Sequence, residues 1–121
     1  MDNREQARLM AVVLTVGERR RQIQMYGHNE SLALGFEEWL SPFSEYRPKI
    51  VERIFRADYN EYERKNGQPS WMHLIREELA ELFAATNPGD AIVEASQVAA
   101  LCISLIEHLT LHGEDVWPAA T

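Results

Sequence analysis

At 121 residues, the chain is long enough for one hydrophobic core and too short for two, so it reads as a single domain over 1–121. A hydrophobic fraction of 45%, a charged fraction of 26% and a formal net charge of -7 are the balance of a soluble globular protein. The sign is wrong for adhering to nucleic-acid backbone or to anionic lipid.

The acidic balance suits a protein that gathers carboxylates around divalent metals, and equally one that keeps an acidic surface for solubility. The one cysteine, Cys102, has no partner for a disulfide or a thiolate metal site and, set in an apolar helical run, reads as a buried structural thiol. The opening MDNREQAR has no apolar signal region. No apolar run approaches the roughly 18–20 residues of a membrane span, so the expected setting is cytoplasmic, with neither membrane nor nucleic acid as partner.

In chain order, residues from Asn3 to Met25 have helical character. Leu9, Val12, Val13, Val16 and Ile23 form one stripe, and Gly27 is a stop. Arg20 falls inside that stripe, flanked by Arg19 and Arg21. A core-facing arginine calls for a carboxylate or phosphate; the other reading is that Arg20 reaches out to water. Residues 27–47 have no sustained period and read as a loop with a short helical turn around Phe36–Leu40. Trp39 and Phe43 there can stack on a base or simply anchor the loop. Pro48 starts a helix to Lys65 before Asn66-Gly67, with Ile50, Val51, Ile54, Phe55 and Tyr62 as its stripe. Asp58 lies near the centre of that stripe, where it is a metal ligand, a partner for a buried arginine, or a half-exposed acid. Ser70 caps a third helix from Trp71 to Ala85. The turn Asn87-Pro88-Gly89-Asp90 leads into a fourth, which runs to His112 before Gly113, and the tail EDVWPAAT has no clear structure. Nothing reads as a strand, so the class is all-α.

The chemistry concentrates in the last two helices. At 100° per residue, Trp71, Leu74, Ile75 and Leu82 all fall within about 60° of Glu78. Glu78 thus points where the apolar face points, with Glu81 beside it and Glu77 at the stripe's edge. Around Glu94, Ala91, Val98, Leu101 and Leu105 fall within the same angle, and Gln97 lies one turn along on the flank. If the two helices are antiparallel neighbours, Glu78, Glu81 and Glu94 meet in a partly apolar place. There they must protonate, repel or share cations, and hard divalent ions with oxygen ligands are the natural solution. The bland alternative is that Glu77 and Glu81 are solvated and pair with Arg76 or Lys65.

The pattern Glu77-Glu78-Leu79-Ala80-Glu81, twelve residues, then Glu94-Ala95-Ser96-Gln97 resembles the EExxE…ExxD motif of the all-α nucleoside triphosphate pyrophosphohydrolases of the MazG type. ERRRQIQMYG at residues 18–27 is similar to the first-helix segment of the small phage and actinobacterial members, and residues 69–110 are similar to their last two helices. Residues 28–66 look like an elaboration. The resemblance implies a four-helix MazG-like bundle completed by oligomerisation as a homodimer or homotetramer. It also implies Mg²⁺- or Mn²⁺-dependent cleavage of a (d)NTP to (d)NMP and pyrophosphate, with purine dNTPs the first guess at substrate. Glu78, Glu81 and Glu94 map onto the motif's metal ligands, and Glu77 onto its other acidic position, orienting water or acting as base beside Glu78. Gln97 departs from the motif: its amide oxygen can coordinate but brings no charge, and Asp58 is the candidate to compensate. For the triphosphate the candidates are Arg20, Arg21, Gln22 and Lys49; the resemblance favours Arg21-Gln22 and the stripe favours Arg20. For the base they are Trp71, Trp39 and Tyr26, with Trp71 equally a core anchor. The rivals are a MazG-like nucleotide-binding or regulatory protein with weakened catalysis, and a structural helical oligomer with solvated acids.

Overall fold

The computed structural model describes residues 2–27 and 48–118, among which there are four helices and no strand. The expected turn at Phe36–Leu40, Trp39 and Phe43 lie outside the described residues. The helices are α1 (Asn3–Tyr26), α2 (Pro48–Asn66), α3 (Trp71–Phe83) and α4 (Pro88–Val116). The all-α expectation is met.

Local chemistry sets the ends. The Asp2 carboxylate caps α1 by accepting from the Glu5 N–H at 2.8 Å. Gly27 closes it at φ 72°, its N–H donating to the Ile23 carbonyl at 2.8 Å, a left-handed conformation that favours glycine. Pro48 opens α2, and Gly67 at φ 80° closes it. Ser70 caps α3 by accepting from the His73 N–H at 3.1 Å. The Asn87–Asp90 segment caps α4 reciprocally. The Asn87 side-chain oxygen accepts from the Asp90 N–H at 2.9 Å, and its amide nitrogen donates to the Asp90 carboxylate at 2.8 Å. This is the logic of a capping box, so what reads as a turn is the start of a helix. Two boundaries differ from expectation. α3 stops at Phe83, before Ala85. α4 continues through Gly113 to Val116, because glycine weakens a helix interior without forbidding it.

The chain divides into two compact units, Met1–Leu32 with Cys102–Thr121, and Ala33–Leu101. In the first, Ala7 and Ala11 of α1 are buried, and Glu107 of α4 is the one buried charged residue among those described, at 8% exposure. Arg8 donates to it at 3.3 Å, with Arg4 at 4.0 Å. The expected stripe on α1 is not the buried one: Leu9, Val12, Val13 and Val16 are all exposed. Apolar residues are spread around α1, and the contact is made instead by two alanines one turn apart beside the arginines that neutralise Glu107. Cys102 is exposed rather than buried.

In the second unit α2 packs against α3. Val51, Ala80 and Ala84 are buried there. Tyr62 stacks on His73 with ring centroids 4.4 Å apart, and the Arg76 guanidinium lies 4.6 Å from the Phe55 ring centroid. Later positions of α2 thus meet earlier positions of α3, so the two helices run antiparallel. By length and composition α4 is apolar enough to cross a membrane, contrary to the expectation from the sequence. The same composition is met in core helices of soluble proteins, so this alone assigns no location.

Candidate functional site

The second unit brings four of the expected acids together. Glu77, Glu78 and Glu81 lie within one turn of α3, half-buried, and Glu94 comes from the first turns of α4. One carboxylate oxygen from each of Glu78, Glu81 and Glu94 lies within 4.8 Å of the others. The spacing explains the convergence. Residues three apart on a helix are neighbours, so Glu78 and Glu81 share a face, and Glu94 stands at the start of the following helix.

The electrostatics reflect the crowding. Burial pushes the Glu78 carboxyl up to about 7, reinforced by the charge of Glu81, a hydrogen bond shared with it, and the charges of Glu94 and Glu77. Glu94 is raised by burial, then by its hydrogen bond to Glu81 and that residue's charge. Glu77 is raised by burial, against which Arg56 acts, while Glu81, Glu52 and Glu63 add to the rise.

Two side chains hold these acids. The Arg56 guanidinium of α2 spans two of them, its Nη2 lying 2.7 Å from Glu77 Oε1 and 2.8 Å from Glu81 Oε1. Gln97 is oriented by its neighbours: with its amide nitrogen turned to the carboxylates it donates at 3.0 Å to both Glu94 Oε2 and Glu78 Oε2. The same amide turned over presents its carbonyl oxygen to the cluster, the face with which it would coordinate a metal. Four carboxylates facing one guanidinium and one neutral amide leave the cluster short of positive charge. Every donor atom in it is a hard oxygen, the set that suits Mg²⁺ or Mn²⁺, with no imidazole or thiolate to favour a softer ion.

The other expected residues fall elsewhere. Asp58 is outside the cluster. It accepts from Arg76, pairs with His73 Nε2 at 3.2 Å, and is held below the usual carboxylate range chiefly by the Arg76 hydrogen bond. Its role in the structure is to join α2 to α3. Arg76 is thereby taken by Asp58, and Lys65 pairs with Glu61 at 3.5 Å, so neither is the counter-ion that the bland alternative gave to Glu77 and Glu81. Lys49 sits 4.0 Å from Glu52. Trp71 is half-buried as the first residue of α3. Arg20, Arg21 and Gln22 belong to the first unit. Arg20 is exposed, Arg21 donates through Nε to Glu18 at 2.9 Å, and Gln22 lines an open surface depression with Leu14, Thr15, Glu18, Arg19 and Ile106. Tyr26 ends α1.

Sequence reasoning missed Arg56 and Glu107. The signal for Arg56 was present: two glutamates four residues apart on one face need a cation from a facing helix. For Glu107 it was a lone acid in the apolar run LCISLIEHL, which calls for an arginine elsewhere. Neither a family model, nor a curated protein, nor a solved structure matches this chain, so the MazG-like reading rests on its own residues.

Proposed function

We propose that the protein is a metal-dependent nucleoside triphosphate pyrophosphohydrolase of MazG-like type, cleaving a (d)NTP to (d)NMP and pyrophosphate, with purine dNTPs the first substrates to try. The single observation that carries this reading is the convergence of Glu78, Glu81 and Glu94 oxygens within 4.8 Å, at the motif spacing that suggested it. Those three residues would hold Mg²⁺ or Mn²⁺. When bound, the metal would neutralise the phosphates and lower the pKa of the attacking water. Glu77, whose carboxyl is raised by burial, would accept a proton from that water or orient it, a role it would share with Glu78. Arg20, Arg21, Gln22 and Lys49 are the proposed triphosphate contacts and Trp71 the proposed base contact. A cytoplasmic setting suits a nucleotide substrate. A homodimer or homotetramer is supported by the run of exposed large apolar side chains on α1.

One observation favours a second reading. With its amide nitrogen turned to the carboxylates, Gln97 reaches both Glu78 and Glu94 at 3.0 Å and satisfies the cluster partly from within, which would suit a MazG-like nucleotide-binding or regulatory protein of weakened catalysis. The test is to incubate the protein with each dNTP and Mg²⁺ or Mn²⁺ and measure monophosphate and pyrophosphate. Turnover abolished by Glu78→Ala is the expected outcome. Nucleotide binding without turnover would favour the second reading, and neither metal nor nucleotide binding would leave a structural helical module.

A further inference from the structure

We propose that Arg56 is the resident counter-cation of the acidic cluster, a positioning residue that holds Glu77 and Glu81 in the metal-free protein and gives up Glu81 when a divalent metal binds. The inference rests on the metal-site reading above and names a regulator of that site.

Glu81 belongs to two arrangements at once. Its Oε1 takes the Arg56 Nη2 at 2.8 Å, and one of its oxygens is among the three that converge with Glu78 and Glu94. A divalent ion and a guanidinium therefore compete for the same carboxylate. Their strengths are unequal: the ion carries twice the charge and addresses three carboxylates, whereas Arg56 addresses two.

The Arg56 side chain is 54% exposed, so its head can swing into water at small cost. Glu77, at 13% side-chain exposure, is the more enclosed of its two partners and the one Arg56 keeps. Arg56 thus stays near the cluster after metal enters, and its positive charge lowers metal affinity. Neighbouring cations do not share the role. Lys49 is 4.0 Å from Glu52, and Arg76 is taken by Asp58.

The experiment titrates Mn²⁺ into the nucleotide-free protein, read by electron paramagnetic resonance of free Mn²⁺ and by melting temperature with and without metal. Arg56→Gln is expected to bind Mn²⁺ about tenfold tighter than wild type, the scale set by removing one nearby unit charge at a partly solvated site. It should also melt lower without metal and gain more on metal addition, while Arg56→Lys, which keeps the charge, stays within about twofold of wild type. If Arg56→Gln fails to fold, the wild type still decides. The Nη2 resonance of Arg56, held by two carboxylates in the metal-free protein, should shift on adding Mg²⁺ as Glu81 is given up and Glu77 kept. Arg56→Gln affinity equal to or weaker than wild type, or Nη resonances unmoved by Mg²⁺, would overturn the proposal and leave the metal site standing. Wild type that binds no Mn²⁺ would overturn both.

Discussion

Glu78 is the residue on which the cluster's energetics turn. Its carboxyl is raised from an ordinary 4.5 to about 7, chiefly by burial and then by Glu81. A carboxyl raised in the folded state binds its proton more tightly there than in the unfolded chain. Metal-free stability is therefore greatest below about 4.5 as far as this group is concerned, falls as pH rises between 4.5 and about 7, and levels off above. Discounted for its partial solvent access, the loss is on the order of 1 kcal/mol. Urea midpoints measured in chelator at pH 5 and pH 8 should show it, and Glu78→Gln should flatten the difference; an unchanged slope in that variant would remove Glu78 as the source. Glu78 was legible from the helical wheel because its position on the apolar stripe does not depend on the rest of the fold. Asp58 was not. The wheel places it near a stripe equally well, but its partners, Arg76 and His73, are set by the packing of α2 against α3.

At the scale of the element, α3 carries three of the four acids, and its start depends on Ser70. The Ser70 hydroxyl accepts from the His73 N–H at 3.1 Å and lies 2.5 Å from the His73 ring Nδ1. Ser70→Ala is expected to cost about 1 kcal/mol by chemical denaturation, the usual size for a lost cap, whereas Ser70→Thr, which keeps the hydroxyl as both acceptor and donor, should recover most of it. Helix starts were well read from the sequence, since Pro48 and Ser70 act locally. Helix ends were read less well. Gly113 has the identity of a stop signal, but nothing in its neighbourhood forces a positive φ, and α4 runs on to Val116.

For the whole molecule the telling fact is how much apolar side chain α1 leaves exposed. Leu9, Met10, Val12, Val13, Leu14 and Val16 are each at least 40% exposed, whereas its buried residues are small. A monomer seldom leaves such a run open to water, so self-association is expected. Light scattering after size exclusion should give a mass of two or four times 13.9 kDa, and Val13→Asp should shift it toward the monomer. A wild-type mass of 13.9 kDa would overturn this expectation. The sequence identified an apolar stripe on α1 but not what it faces. Periodicity records which side chains avoid water, not whether the cover comes from the same chain.

The junction of α2 and α3 carries a spectroscopic handle. The Asp58 carboxylate can only accept, so in the neutral His73 ring the imidazole proton sits on Nε2, 3.2 Å from it, and the Ser70 hydroxyl gives its proton to Nδ1 while accepting the His73 N–H. A histidine locked in that tautomer has a recognisable pair of ring ¹⁵N shifts. It would lose them as soon as the hairpin opens, so ¹⁵N-enriched protein gives a reading of local unfolding beside the cluster with no reporter group attached.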